Sequence, residues 1–298
     1  SATYGAGAIR CVGKCTASLT VSGKNDVLVG AGAATVVIGN KTLTTIADSK
    51  VAKLRIGATV DSLTYLGEFT RKAISAALSK EAAHAMVKIA PGIDVDHFKP
   101  VEAASLRAEL GLTNKKVIVS VGRLVHRKGQ DHLIESMPAI LKVHPDAHLL
   151  LVGKGPYLEY LAKLVAKNGL QDSVSFIGRI QYAELPAYIC CGDIFAMPSR
   201  SRLMGLEVEG LGIVYLEASA CGLPVIAGKS GGAPDAVIDG TTGLVVDGTN
   251  NDEIAKAAIA LLSDPSKAQQ MGAAGRQWII DEWRWEIWAQ KFESLLSK

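Results

Sequence analysis

Arg123 and Lys128 lie in the run Gly122-Arg123-Leu-Val-His-Arg127-Lys128-Gly129, just after the β-branched stretch Val117–Val121. Glycine at each end lets the backbone approach a ligand closely. Two cations beside the amides of a helix start suit a diphosphate, because helix N-termini favour anions and charge-assisted hydrogen bonds hold phosphate oxygens. A solvated basic loop would produce the same local pattern. A second constellation follows in Glu207-Val-Glu209-Gly210-Leu211-Gly212-Ile213-Val214-Tyr-Leu-Glu217. The glycines place a helix start near Gly212, leave Glu209 in the preceding loop and set Glu217 about one and a half turns inward. Carboxylates so placed accept hydrogen bonds from sugar hydroxyls, and one carboxylate taking two adjacent hydroxyls holds a ribose. The alternative is a solvated pair worth a few tenths of a kcal/mol to the helix dipole. In Phe176-Ile-Gly178-Arg179-Ile180, backbone groups beyond a strand end would read a nucleobase edge or simply make a turn.

The elements that must position these residues read as regular alternation from Val117 onward. Strands are expected at Val117–Val121, His148–Val152, Ser173–Ile177, Ile194–Met197, Pro224–Ala227 and Gly243–Val246. Helical stretches are expected at Gly129–Val143, Tyr157–Lys167, Tyr182–Cys190, Ile213–Ala220 and Ala233–Val237, with a helical tail after Asp252. Such alternation predicts an α/β fold with a parallel sheet and helices on both faces, its ligands beyond the carboxyl ends of the strands. Residues 1–49 differ: short β-branched runs at Ser18–Ser22, Asp26–Val29, Thr35–Ile38 and Leu43–Ile46 read as strands with turns, or as strand–loop pieces of a small α/β unit. A helix is expected from Glu68 to Lys80, and Val95–Ala104 reads as a linker.

The chain has 298 residues, 48% hydrophobic and 20% charged, which suits two folded domains rather than disorder. A net charge of +3 and 5% aromatics give no basic face or stacking platform for nucleic acid. No apolar run is long enough to span a membrane, no signal peptide opens the sequence, and five cysteines without a C-x-x-C spacing read as reduced and cytoplasmic. Histidines and cysteines form no metal-ligand spacing, and Asp94-x-Asp96 sits in a turn, where a structural role is expected. Asp26-Val-Leu-Val-Gly30-Ala-Gly32-Ala-Ala-Thr35 resembles a dinucleotide fingerprint with Asp48 as ribose ligand. However, Thr35 replaces the third glycine and β-branched residues stand where the helix should run.

Arg123-x4-Lys128 with Glu209-x7-Glu217 resembles the donor site of retaining glycosyltransferases of the GT-B fold, family four. Asp193-Ile-Phe-Ala-Met-Pro198 and Ala227-Gly-x-Ser-Gly-Gly-Ala-Pro234 add to the likeness. Within that family the chain is most similar to the actinobacterial phosphatidylinositol mannoside mannosyltransferases. The resemblance implies a nucleoside-diphosphate sugar substrate, GDP-mannose, with no metal or other cofactor, and transfer with retention to a lipid or glycan hydroxyl. It implies that Arg123 and Lys128 hold the diphosphate, Glu217 the ribose and Glu209 the transferred sugar, with Arg179-Ile180 along the base. The donor subsite then comprises Gly122, Arg123, Lys128, Arg179, Ile180, Glu209, Gly210, Leu211, Gly212, Ile213, Val214 and Glu217, with Glu209, Arg123 and Lys128 catalytic. It further implies residues 1–100 as a reduced acceptor-side domain, 101–282 as the donor domain and 283–298 as a helix crossing back to the first. A peripheral place at the inner face of the plasma membrane follows from a lipid acceptor, and self-association from apolar surface that the short first domain leaves open. The alternative is a sugar-nucleotide-binding remnant without transfer activity.

Overall fold

A computed structural model describes residues 18–21, 34–38, 41–45, 62–76, 78 and 80–297. The expected strand at Asp26–Val29, and Asp48, lie outside the described residues. Contacts divide the chain into Ser1–Tyr65 with Arg71–Lys88, and Leu66–Thr70 with Ile89–Lys298. In the first unit, β1 (Ser18–Val21) pairs in parallel with β2 (Ala34–Ile38), which pairs antiparallel with β3 (Lys41–Thr45). A separate parallel pair joins β4 (Leu63–Tyr65) to β5 (Met86–Lys88). The single helix expected over Glu68–Lys80 is instead two, α1 (Glu68–Ser75) and α2 (Lys80–His84).

In the second unit, α3 (Ala104–Glu109) follows the turn at Asp94–Phe98, so the stretch expected as linker ends in a helix. Phe98 is itself core, 2% exposed. Asp94 Oδ1 accepts the amides of Asp96 and His97, which occupies that carboxylate in its own turn. Then come β6 (Lys116–Val121), α4 (Gln130–Val143), β7 (Ala147–Val152), α5 (Leu158–Lys167), β8 (Val174–Gly178), α6 (Leu185–Cys190) and β9 (Ile194–Met197). They continue as α7 (Ile213–Ala220), β10 (Val225–Gly228), β11 (Gly243–Val246), α8 (Asn251–Ser263), α9 (Pro265–Glu282) and α10 (Trp285–Leu296). The helical stretch expected at Tyr182–Cys190 opens as a 3-10 turn, Tyr182–Glu184, before α6, and the short one expected at Ala233–Val237 is a 3-10 helix over Ala233–Ala236. The helical tail breaks at Trp283-Arg284 because Trp283 turns into the core and the chain there pairs with Ile93.

All six strands of the main sheet are parallel, in the order β11-β10-β9-β6-β7-β8. Alternation along each strand splits the core between the two faces. Val117, Val119 and Val121 join the cluster under α7 and the tryptophans, whereas Ile118, Leu149 and Leu151 join the one under α4, α5 and α8. The chain leaves β6 toward β7 and β8, then returns to lay β9, β10 and β11 on the other side. The crevice between β6 and β9 is therefore the switch point, where open sheets of this kind bind ligands.

Candidate functional site

The loop after β6 delivers Lys128 to that crevice. Gly122 and the exposed Arg123 leave the strand, Leu124 anchors the loop in the core, and one 3-10 turn spans His126–Lys128. Gly129 closes the turn at φ 75°, and a Cβ there would collide with the Pro198 carbonyl oxygen beyond β9. Only glycine meets both demands. The turn is thereby pressed onto the segment after β9, and Arg200 donates its amide to the Arg127 carbonyl at 2.8 Å. A buried bidentate pair repeats the link: Arg200 reaches both oxygens of Asp131 at 2.5 and 2.6 Å, and Tyr157 Oη donates to Asp131 Oδ2 at 2.8 Å. Burial works against the Asp131 charge, but the Arg200 hydrogen bonds and charge outweigh it and hold the carboxyl below its usual range.

Glu209 comes from the other side. Its amide donates to Ser230 Oγ at 3.1 Å and its carbonyl accepts the Gly232 amide at 2.8 Å. Gly231 has φ 54°, and a Cβ on it would strike the Glu209 carbonyl oxygen. Gly231→Ala should therefore lower stability by at least about 2 kcal/mol through strain and displacement of Glu209. Urea unfolding checks this, and an unchanged midpoint would show that Glu209 is not held this way.

Glu209 is 7% exposed, and its Oε2 lies 2.7 Å from Lys128 Nζ and 3.9 Å from Arg127 Nε. The lysine contact is close but lacks the direction of a hydrogen bond, so this buried oxygen has a charge partner and no aligned donor. The sequence placed Lys128 and Glu209 on separate parts of a ligand; the structure joins them as an ion pair. Arg123, by contrast, forms no ion pair among the described residues.

Gly210 and Leu211 lead to Gly212, which begins α7 with no side-chain cap. The first amides of α7, around exposed Ile213 and buried Val214, thus lack a capping side chain. Glu217 lies one turn further, half-buried, and burial pushes its carboxyl up from 4.5 to about 7 against the pull of the Lys128 charge. Lys128 thus contacts one carboxylate and acts at a distance on the other. Arg179 is exposed beyond β8, while Ile180 packs on the core face that also carries α7. Two residues on, the Tyr182 phenol is raised in pKa by partial burial, then by the charges of Glu217 and Asp94, which puts this segment on the Glu217 side.

Three features were not read from the sequence. Arg127 stands second to Lys128 at Glu209. Ser230 was visible only as part of a glycine loop. Arg200 and Asp131 are 69 residues apart, and no spacing announces such a pair. Beyond Arg200 a hairpin closes through reciprocal backbone bonds between Arg202 and Glu207 and a 2.7 Å ion pair of their side chains. It lifts Leu203, Met204 and Leu206 into solvent, Met204 fully, with Leu203 and Met204 at φ 51° and 53°.

Residues 103–278 match the family described as glycosyl transferases group 1. The chain belongs to that family. It is 46% identical over 251 residues to a GDP-mannose-dependent alpha-(1-6)-phosphatidylinositol monomannoside mannosyltransferase of Mycolicibacterium smegmatis, a match covering 84% of this chain and 65% of the relative. A Corynebacterium glutamicum enzyme, a GDP-mannose-dependent monoacylated alpha-(1-6)-phosphatidylinositol monomannoside mannosyltransferase, is 43% identical with the same coverage of each chain. The chain thus spans about 65% of the length of these relatives. Among solved structures, Anabaena HepE in complex with UDP superposes with a TM-score of 0.73 at 24% identity, over 81% of this chain and 65% of that one. Sucrose-phosphate synthase from Thermosynechococcus elongatus gives 0.70 at 31% identity, over 80% and 58%. The α/β fold with its parallel sheet, expected from the strand–helix alternation, matches GT-B glycosyltransferase structures, as the resemblance implied.

Proposed function

We propose that the crevice between β6 and β9 binds a nucleoside-diphosphate hexose, GDP-mannose, and that the protein transfers the hexose with retention to a lipid or glycan hydroxyl. The observation that carries this is the convergence of Lys128, Glu209, Glu217 and the open start of α7 at the switch point. A diphosphate entering there meets the Lys128 ammonium, exposed Arg123 and the α7 amides. Glu217 then takes the ribose diol, and Ile180 with the preceding Arg179 backbone lies along the base. In transfer, the bond from the anomeric carbon to the β-phosphate oxygen breaks and the acceptor oxygen bonds to that carbon on the same face. The acceptor proton passes to the departing diphosphate. Arg123, Lys128 and the α7 amides stabilise the charge that collects there, the kind of preorganised contribution that dominates such steps. Glu209, released from part of its contact with Lys128, accepts hydroxyls of the transferred sugar and orients its carbon. On this reading the positive charge comes from side chains and amides and transfer needs no metal, so a chelator should leave it unchanged.

Arg123→Ala should weaken GDP by about 1–2 kcal/mol while leaving the unfolding midpoint in place, since this exposed cation makes no ion pair among the described residues. Equal affinity would remove Arg123 from the site. The apolar hairpin tip supports an amphiphilic acceptor, since its stem ends close to Glu209. No helix among the described residues is long and apolar enough to cross a membrane, and a peripheral place at the membrane surface suits such an acceptor. Serine at Leu203, Met204 and Leu206 together should raise KM for a phosphatidylinositol-type acceptor severalfold and leave GDP affinity alone; an unchanged KM would exclude the tip. The function itself is tested by mass analysis of products from GDP-mannose and such acceptors.

A further inference from the structure

At the opposite edge of the sheet, where β6, β9 and β10 begin, a cavity of about 520 Å³ opens between the strand starts and the α8–α9 junction. Cys190 and Cys221 both line it. Cys190 ends α6 and is half-buried; Cys221 caps α7 and is 4% exposed. Both thiols line this one cavity and lie near enough to act on each other, and the Cys190 thiol lies 3.7 Å from the Lys99 carbonyl oxygen, to which it donates. Arg276 on α9 is fixed over the pair, because its Nη1 donates to the carbonyls of Phe98 and Ala220, the residues just before Lys99 and Cys221. Lys115 and Lys116 line the same cavity, and Asp193 at its wall is paired to Arg107. Glu217, one turn back on α7, acts on Cys221. A thiol open to solvent beside fixed cations is the setting in which cysteine becomes a nucleophile. Cys190 is held below the usual thiol range, first by the Cys221 hydrogen bond, while Cys221 is held above it. The neighbouring Cys191 points into the core, and burial pushes it up to about 11.

We propose that Cys190 and Cys221 are a redox-active dithiol, a modification site that hydrogen peroxide converts to an intramolecular disulfide. The Cys190 thiolate attacks one peroxide oxygen, the O–O bond breaks, and hydroxide departs as Cys190 becomes the sulfenic acid. Cys221 sulfur then displaces that hydroxyl, which leaves as water with the Cys221 proton, and the S–S bond forms. Two electrons pass from the two sulfurs to one peroxide, and a thiol reductant reverses the reaction. The site is distinct from the nucleotide crevice, so its chemistry is read without reference to transfer.

The test treats the folded full chain with equimolar to tenfold hydrogen peroxide, alkylates the remaining thiols after denaturation, and maps peptides by mass. A peptide pair linked through Cys190 and Cys221 is expected, losing 2 Da (two hydrogens) and reverting with dithiothreitol, with Cys191 still alkylated. Cys221→Ser should stop at a Cys190 sulfenic acid trapped by dimedone, Cys190→Ser should form neither product, and Cys191→Ser should keep the link. In the parent before oxidation, iodoacetamide should modify Cys190 with a midpoint near neutral pH and roughly tenfold faster at pH 7 than Cys191. Circular dichroism and GDP titration confirm that each variant is folded. A link through Cys191, a sulfenic acid that persists in the parent, or an alkylation midpoint above pH 8 would overturn the proposal.

Discussion

Lys128→Met is expected to lower folding stability by about 3 kcal/mol and to weaken GDP binding by about 1.5–3 kcal/mol. Lys128 is 8% exposed and Glu209 7%, so removing the ammonium strands a carboxylate that water cannot reach. Arg127, 3.9 Å away, offsets only part of the loss. Glu209→Gln should destabilise by a similar mechanism, leaving a buried ammonium without its counter-charge. The double variant Lys128→Met/Glu209→Gln should recover most of the stability, because neither charge remains to be solvated, yet recover none of the affinity. That split is the signature of a pair that is neutralised in the free protein and opened by a ligand. Additive stability losses, measured by urea unfolding of the four proteins, would mean the two side chains do not act on each other.

Glu217→Gln is expected to change how both stability and affinity depend on pH. The folded carboxyl binds its proton more tightly than the unfolded one, with values near 7 and 4.5. Between those values the native state holds more protons, so stability is full below about pH 4.5 and is lost as pH rises toward 7. Because the side chain is half-buried, the loss should reach about 2 kcal/mol rather than the full linkage value. Glu217→Gln should flatten that slope and leave the variant more stable than the parent at pH 8. Nucleotide binding runs the other way, because a ribose diol donates to the ionised carboxylate. Parent affinity for GDP, relative to 2′,3′-dideoxy-GDP, should therefore rise from pH 6 to pH 8, and Glu217→Gln should erase that preference. Equal losses for both ligands would place Glu217 away from the ribose.

The donor-side strands were legible because a parallel sheet covered on both faces produces unbroken apolar runs, and all six were expected to within two residues. Helix starts were legible where glycine punctuates them, as at Gly129 and Gly212. What escaped the sequence depends on contacts between distant segments. Trp283 breaks the tail because the core needs an indole there, and nothing in the local helical pattern announces that. Tyr182–Glu184, two residues before Pro186, and Ala233–Ala236, which follows Gly231-Gly232 and contains Pro234, are short segments where three-residue turns compete closely with α-helix. For the candidate site, residue types and spacing singled out Lys128, Glu209 and Glu217, but not that two of them form an ion pair, which requires β6 and β9 to be neighbours. Residues before Asp61 are poor in the periodic apolar signal that made the rest readable.

The central claim is that this crevice holds a nucleoside diphosphate on Lys128 and the start of α7. Calorimetric titration of GDP into the parent and into Lys128→Met/Glu209→Gln tests it most directly, because the double variant removes the cation without leaving a buried charge. Saturable binding near one nucleotide per chain in the parent, weakened at least about tenfold in a folded double variant, is the predicted result. Equal affinity in the two proteins, or no saturable binding in the parent, would contradict it.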